Sequence, residues 1–189
     1  MDVSITNRQR AKWVNRRLLK QMTAALLADL EIENVELGIV LVAAPEMATL
    51  NEKYLRHRGS TDVIAFDYGV GVAPSRGFPP NNSRQENRPK PELRTVHGEV
   101  FICVDMAVSQ AKKFRTGWQS EITRYLVHGI LHLLGYDDRR AAGRRKMKRE
   151  ENRRVRELSR RFALSKLGSN SKLAGWSRKV CSPAGVPVS

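Results

Sequence analysis

Apolar positions along the chain fall into two rhythms, which predict two kinds of element. Runs in which every residue or every second residue is apolar predict strands, and apolar positions three or four apart predict helices. Residues 2–6 alternate in polarity and predict a short strand. Asn7 then reads as the cap of a helix reaching about Leu30, with Trp13, Leu18, Met22, Ala25 and Leu26 at near-helical spacing. Residues 35–43 (VELGIVLVA) predict a buried strand. Pro45 suits the first turn of a short helix that presents Met47, Leu50 and Tyr54 on one face and stops before Gly59. Residues 63–66 and 99–104 predict two more strands, and helical patterns cover 106–114, 119–134 and 141 to about 164.

Strands separated mostly by helices indicate an α/β (α+β) domain, with a small mixed sheet of about four strands. Residues 69–95 are rich in Gly, Pro, Asn, Ser and Arg without apolar periodicity, which predicts an irregular surface loop. The pattern places one domain over 1–164 and a basic, disordered tail over 165–189.

Composition narrows the class. With 189 residues, 41% apolar and 28% charged, the chain suits one soluble domain and not a large multidomain enzyme. Two cysteines, Cys103 and Cys181, make neither a disulfide framework nor a Cys-rich zinc site. The absence of a long apolar run argues against a membrane span or a secretory signal, so the expected location is cytoplasmic. The formal charge of +15 points to a polyanionic partner. That charge is unevenly placed. Residues 139–189 hold 16 of the Lys and Arg and only three acidic residues, which leaves residues 1–138 nearly neutral.

The segment 127–138 (VHGILHLLGYDD) carries the chemistry. His128 and His132 stand one helical turn apart, so both imidazoles project from one face and can grip one metal ion. Gly135 offers the helix a left-handed stop, after which Asp138 can return as a third ligand. Two imidazoles, a carboxylate and an open position form a common catalytic zinc set, although iron and manganese also accept it. The spacing is that of the metzincin metalloproteases with Asp in place of the third His. Those enzymes use a Glu after the first His as general base, and Gly129 occupies that position here.

The run HGILHLLGYDD resembles the H-G-x-L-H-L-x-G-Y-D-H signature of the YbeY family of bacterial metal-dependent endoribonucleases. ITNRQ near the start, LNEKY at 50–54, TDVIAFDY at 61–68 and GEVFIC at 98–103 resemble further blocks of that family, in order, over residues 1 to about 162. The resemblance implies a single-strand-directed endoribonuclease acting in ribosomal RNA maturation and ribosome quality control. It implies one metal ion, Zn2+ or another divalent ion, on His128, His132 and Asp138. It implies ribosomal RNA or its precursor as partner, with the small ribosomal subunit as a further one. Asp138 departs from the family's histidine. A second departure is Leu55, where many members carry a catalytic arginine; Arg56 or Arg58 is the expected replacement. His57 and His97 are not assigned to the metal; turn chemistry alone explains Asp62, whose side chain can either cap the loop or line the cleft, and the resemblance implies that this loop borders the substrate groove.

The helix after Asp138 holds Met147, Val155, Leu158 and Phe162 on one stripe and Arg or Lys on most other positions. Arg139, Arg140, Arg144 and Arg145 are the expected RNA contacts, made to phosphate more than to bases because aromatics are few. Two other classes fit parts of the pattern: a noncatalytic RNA-binding ribosome-assembly factor, and a zinc metalloprotease. The oligomeric state is not legible.

Overall fold

The computed structural model describes residues 1–69 and 95–169. Strand β1 (Asp2–Asn7) leads through helix α1 (Arg16–Asp29) to β2 (Asn34–Val42) and the short helix α2 (Ala44–Leu50), which continues into a wide π-helical turn at Asn51–Leu55. Strands β3 (Val63–Asp67) and β4 (Thr95–Cys103) follow, then α3 (Val104–Phe114), α4 (Trp118–Leu133), α5 (Ala141–Arg161) and a 3-10 turn at Leu164–Gly168. The sheet order is β1-β2-β4-β3, with β1–β2 and β2–β4 parallel and β3 antiparallel to β4. This is the mixed four-stranded α/β architecture that the pattern predicts.

Alternation along the strands assigns the two sheet faces. Val3 and Ile5, Leu37 and Ile39, and Val100 and Ile102 face the main core, which is closed by Leu19, Met22, Leu26, Ile122, Leu126 and Ile130 from the helices. Val40, Val42, Ile64, Phe101 and Cys103 face the other way and meet Met47 of α2 in a smaller core. Each fully buried aliphatic side chain contributes about 1.5–3 kcal/mol, so the larger core dominates and fixes how α4 lies on the sheet.

Three boundaries differ from the pattern. Asn7 does not cap a helix; it ends β1, paired with Leu41. The buried Gln9 instead closes a turn, accepting from Lys12 N–H at 3.0 Å and donating to its carbonyl at 2.8 Å, and Asn15 becomes the cap, accepting from Leu18 N–H at 3.1 Å. Trp13 therefore lies outside α1 and is exposed. Strand β4 starts at Thr95 instead of 99, because the polar stretch before Glu99 pairs in register with β2 from Asn34. The boundary expected at 164 falls inside the last described turn: Leu167 is fully buried and its carbonyl accepts from Asn15 N–H at 2.8 Å. Residues 165–168 thus pack with the domain. The rest of the expected tail, Cys181 and nearly all of the expected loop at 69–95 lie outside the described residues.

Candidate metal centre

Helix α4 crosses β3 and β4 with Gly129 against the sheet. A Cβ at Gly129 would collide with Val100 Cγ1 and press on Val63, so no side chain fits there. The position that carries the base in metzincins is thus spent on close packing, and His128 and His132 are left half-buried on another side of the helix.

A hydrogen-bonded turn then brings the chain back. Gly135 takes φ 81°, its N–H donates to His132 carbonyl at 2.9 Å, and Tyr136 N–H donates to Leu131 carbonyl at 3.0 Å. This is a Schellman stop, the left-handed glycine cap that the sequence predicts. It has a second effect, because it lays Tyr136 carbonyl 3.1 Å from Nδ1 of His132. A carbonyl only accepts, so His132 carries its proton on Nδ1 and leaves Nε2 with a lone pair.

His128 is set in the same way from α5. Its Nδ1 lies 3.0 Å from Glu151 Oε2, on a carboxylate only 4% exposed. Burial pushes the Glu151 carboxyl up, but hydrogen bonds from His128, Lys148 and Arg124 outweigh burial and hold it at about 2. The ionised carboxylate accepts the Nδ1 proton, and Nε2 of His128 is again the lone-pair atom. The two Nε2 atoms face each other at 3.0 Å. Burial, together with the neighbouring His128, lowers the His132 pKa and keeps it neutral. Two ring nitrogens face one another there, an arrangement that a shared proton or a metal ion satisfies.

Asp138 completes the group. Its carboxylate and the two imidazoles have ligand atoms all within 4.8 Å of one another, the one such group of three among the described residues. Its neighbour Asp137 is engaged elsewhere: Arg139 donates to its Oδ1 from the backbone at 3.0 Å and from Nε at 3.1 Å, which holds that carboxyl below its usual range. The donor set fits a divalent ion well. Each imidazole has the outer partner that fixes a metal ligand's tautomer, one a carboxylate and one a backbone carbonyl.

Beside this group opens a cleft of about 210 Å³, lined by Asp62, Arg124, Tyr125, His128, Asp138, Arg144, Met147, Lys148 and Glu151. Arg144 is brought to the cleft, while Arg139, Arg140 and Arg145 are exposed at the start of α5 without lining it. Arg56 and Arg58, exposed after the π-helical turn, do not line it either. Asp62 does two things, accepting from Val63 N–H at 3.0 Å and lining the cleft.

Sequence reasoning missed Arg124 and Glu151. The signal for Glu151 was present: Met147, Val155 and Leu158 are buried on α5, and Glu151 fills the one helical step missing from their stripe. A carboxylate in register with buried apolar residues needs a partner.

Comparison with known proteins gives the relatives of the whole chain. Residues 4–159 match the family model described as Endoribonuclease YbeY. An Endoribonuclease YbeY of Salinibacter ruber is 36% identical over 116 residues, 61% of this chain and 66% of that protein. One from Chlorobium luteolum is 28% identical over 160 residues, 85% of this chain and the whole of that protein. The solution structure of a Thermotoga maritima protein superposes with a TM-score of 0.57 at 21% identity, covering 90% of this chain and 97% of that one, which shows the shared fold.

Proposed function

Because the chain belongs to the Endoribonuclease YbeY family, we propose that it cuts RNA by hydrolysis with one divalent ion held by His128, His132 and Asp138. It is a metal-dependent endoribonuclease of ribosomal RNA maturation. The ion is Zn2+, which suits two imidazoles and a carboxylate with a position left open, and it supplies Lewis acidity toward a water or a phosphate oxygen. The observation that carries the reading is the pair of facing Nε2 atoms at 3.0 Å, each with its Nδ1 proton already committed. Asp138 in place of the family's histidine keeps three ligands and lowers the net charge of the site by one.

The substrate is single-stranded ribosomal RNA or its precursor, met in the cytoplasm on the small ribosomal subunit. Arg139, Arg140, Arg144 and Arg145 surround the start of α5, which has no acidic residue in its first turn. Cations at the positive end of a helix disfavour the helix and favour a phosphate, which supports backbone contact there. Among the described residues no helix is long and apolar enough to cross a membrane. Peptide hydrolysis lacks support, since Gly129 cannot act as a base and Glu151, held at about 2 by its three donors, is a poor proton acceptor.

The test is metal content together with cleavage of a single-stranded RNA by the full chain and by His128→Ala and Asp138→Ala. The reading requires one ion per chain and cleavage in the wild type, with both lost in His128→Ala. Unchanged cleavage in that variant would overturn it.

A further inference from the structure

Three cations line the cleft beside the metal centre, and they differ in how their donors are committed. Arg144 spends Nε on the Asp138 carbonyl at 3.0 Å and Nη2 on the Arg139 carbonyl at 3.2 Å, bracing the turn that carries the third ligand. Lys148 gives its Nζ to Glu151 at 2.9 Å, from a side chain 59% exposed. Arg124 is held from one side only. Its Nη1 donates to Glu151 and to Asn152 Oδ1, the latter at 2.9 Å, while its Nε and Nη2 make no hydrogen bond to the described residues.

The Nε–Nη2 edge of a guanidinium is a rigid fork that matches two oxygens of one phosphate. In Arg124 that edge is left over after the opposite nitrogen is tied to a buried carboxylate. The side chain is 29% exposed, so water reaches it but does not surround it. It also stands one helical turn before His128 on α4, which puts guanidinium and metal ligand on one face of a single rigid element.

We propose that Arg124 binds the scissile phosphodiester through its Nε–Nη2 edge, with Glu151 and Asn152 as the positioning residues that aim it. This rests on the RNA-hydrolase reading and takes the place of Arg56 and Arg58 as the arginine of the reaction. As a water oxygen bonds to phosphorus, the bond to the leaving ribose oxygen breaks and its electron pair goes to that oxygen. The water's proton leaves by way of solvent, and a proton returns to the leaving oxygen. Arg124 offsets the charge that gathers on the non-bridging oxygens meanwhile.

Four variants of the full chain, each loaded with one equivalent of Zn2+, test this. Turnover is read on a short single-stranded oligoribonucleotide, and binding on inorganic phosphate followed by 31P NMR. Arg124→Ala should lower kcat by about 10²–10³, the usual cost of one oriented transition-state donor. It should weaken phosphate binding about tenfold, keep its metal, and regain part of its turnover when guanidinium ion is added. Arg124→Lys restores a cation beside Glu151 without the fork, so it should fold and hold metal as the wild type does while remaining slow. Arg56→Ala and Arg58→Ala should stay within about threefold of wild type, the loss of an exposed charge. Wild-type turnover in Arg124→Lys would overturn the proposal. So would a slow Arg124→Ala with unchanged phosphate binding and no guanidinium rescue, the mark of a purely structural residue. Cleavage surviving in His128→Ala would instead remove the reading beneath it.

Discussion

Helices α4 and α5 pack against each other and divide the work unequally. Helix α4 is mostly apolar, carries both imidazoles, and has ten buried residues fixing it on the sheet. Helix α5 is crowded with Arg and Lys and buries only Met147, Glu151, Val155 and Leu158. From charge alone, the chain divides into a nearly neutral domain and a basic extension beginning after Asp138. The structure removes that division. Its one buried carboxylate makes α5 a wall of the candidate metal centre, because Glu151 bonds Nδ1 of His128 and anchors Arg124. Charge and chemistry share a helix, and only the outward side of α5 is free to serve RNA alone.

A large expected effect strikes the seat of α4. Gly129→Ala forces a methyl into Val100, and overpacking of this kind costs about 1–3 kcal/mol. A lowered midpoint in urea unfolding, with weaker metal retention, would show that the imidazoles depend on this contact. A variant as stable as wild type would show that α4 can lift from the sheet freely.

Next in size is the share that α5 holds. Glu151→Gln keeps the shape but loses the ionised acceptor, and outer partners of metal-binding histidines contribute about 10–100-fold in affinity. Competition with a zinc chelator reads that loss directly. Undiminished affinity would return α5 to the role of an appendage.

At the end of the chain the effect depends on where the cut falls. Removing residues 170–189 takes away Lys172, Arg178 and Lys179 and should weaken RNA binding modestly, mainly at low salt, with no change in metal content. Removing residues 165–189 also strips the buried Leu167 and should cost about 2–5 kcal/mol of stability. Equal stability of the two truncations would contradict a domain that packs through Gly168.

The grouping of His128, His132 and Asp138 was legible because its parts are local. A four-residue step, a glycine stop and a returning carboxylate lie within one helix end and its turn, where spacing alone dictates geometry. The partners of those ligands were not legible. Glu151 lies 23 residues from His128, and only the packing of α5 on α4 brings them together. Arg124 sits one turn before His128, yet its free edge is apparent only once Glu151 and Asn152 are seen to occupy the other nitrogen. The α1 cap was missed for a similar reason, since the Gln9 turn that delays the helix is made by side-chain bonds that no apolar rhythm records.

The central claim is that two imidazoles and one carboxylate hold the ion. X-ray absorption at the zinc edge, on the full chain carrying one equivalent of Zn2+, tests it most directly. Scattering from two imidazoles with oxygen in the remaining positions is the predicted result. Three imidazoles, or none, in the wild type would contradict it.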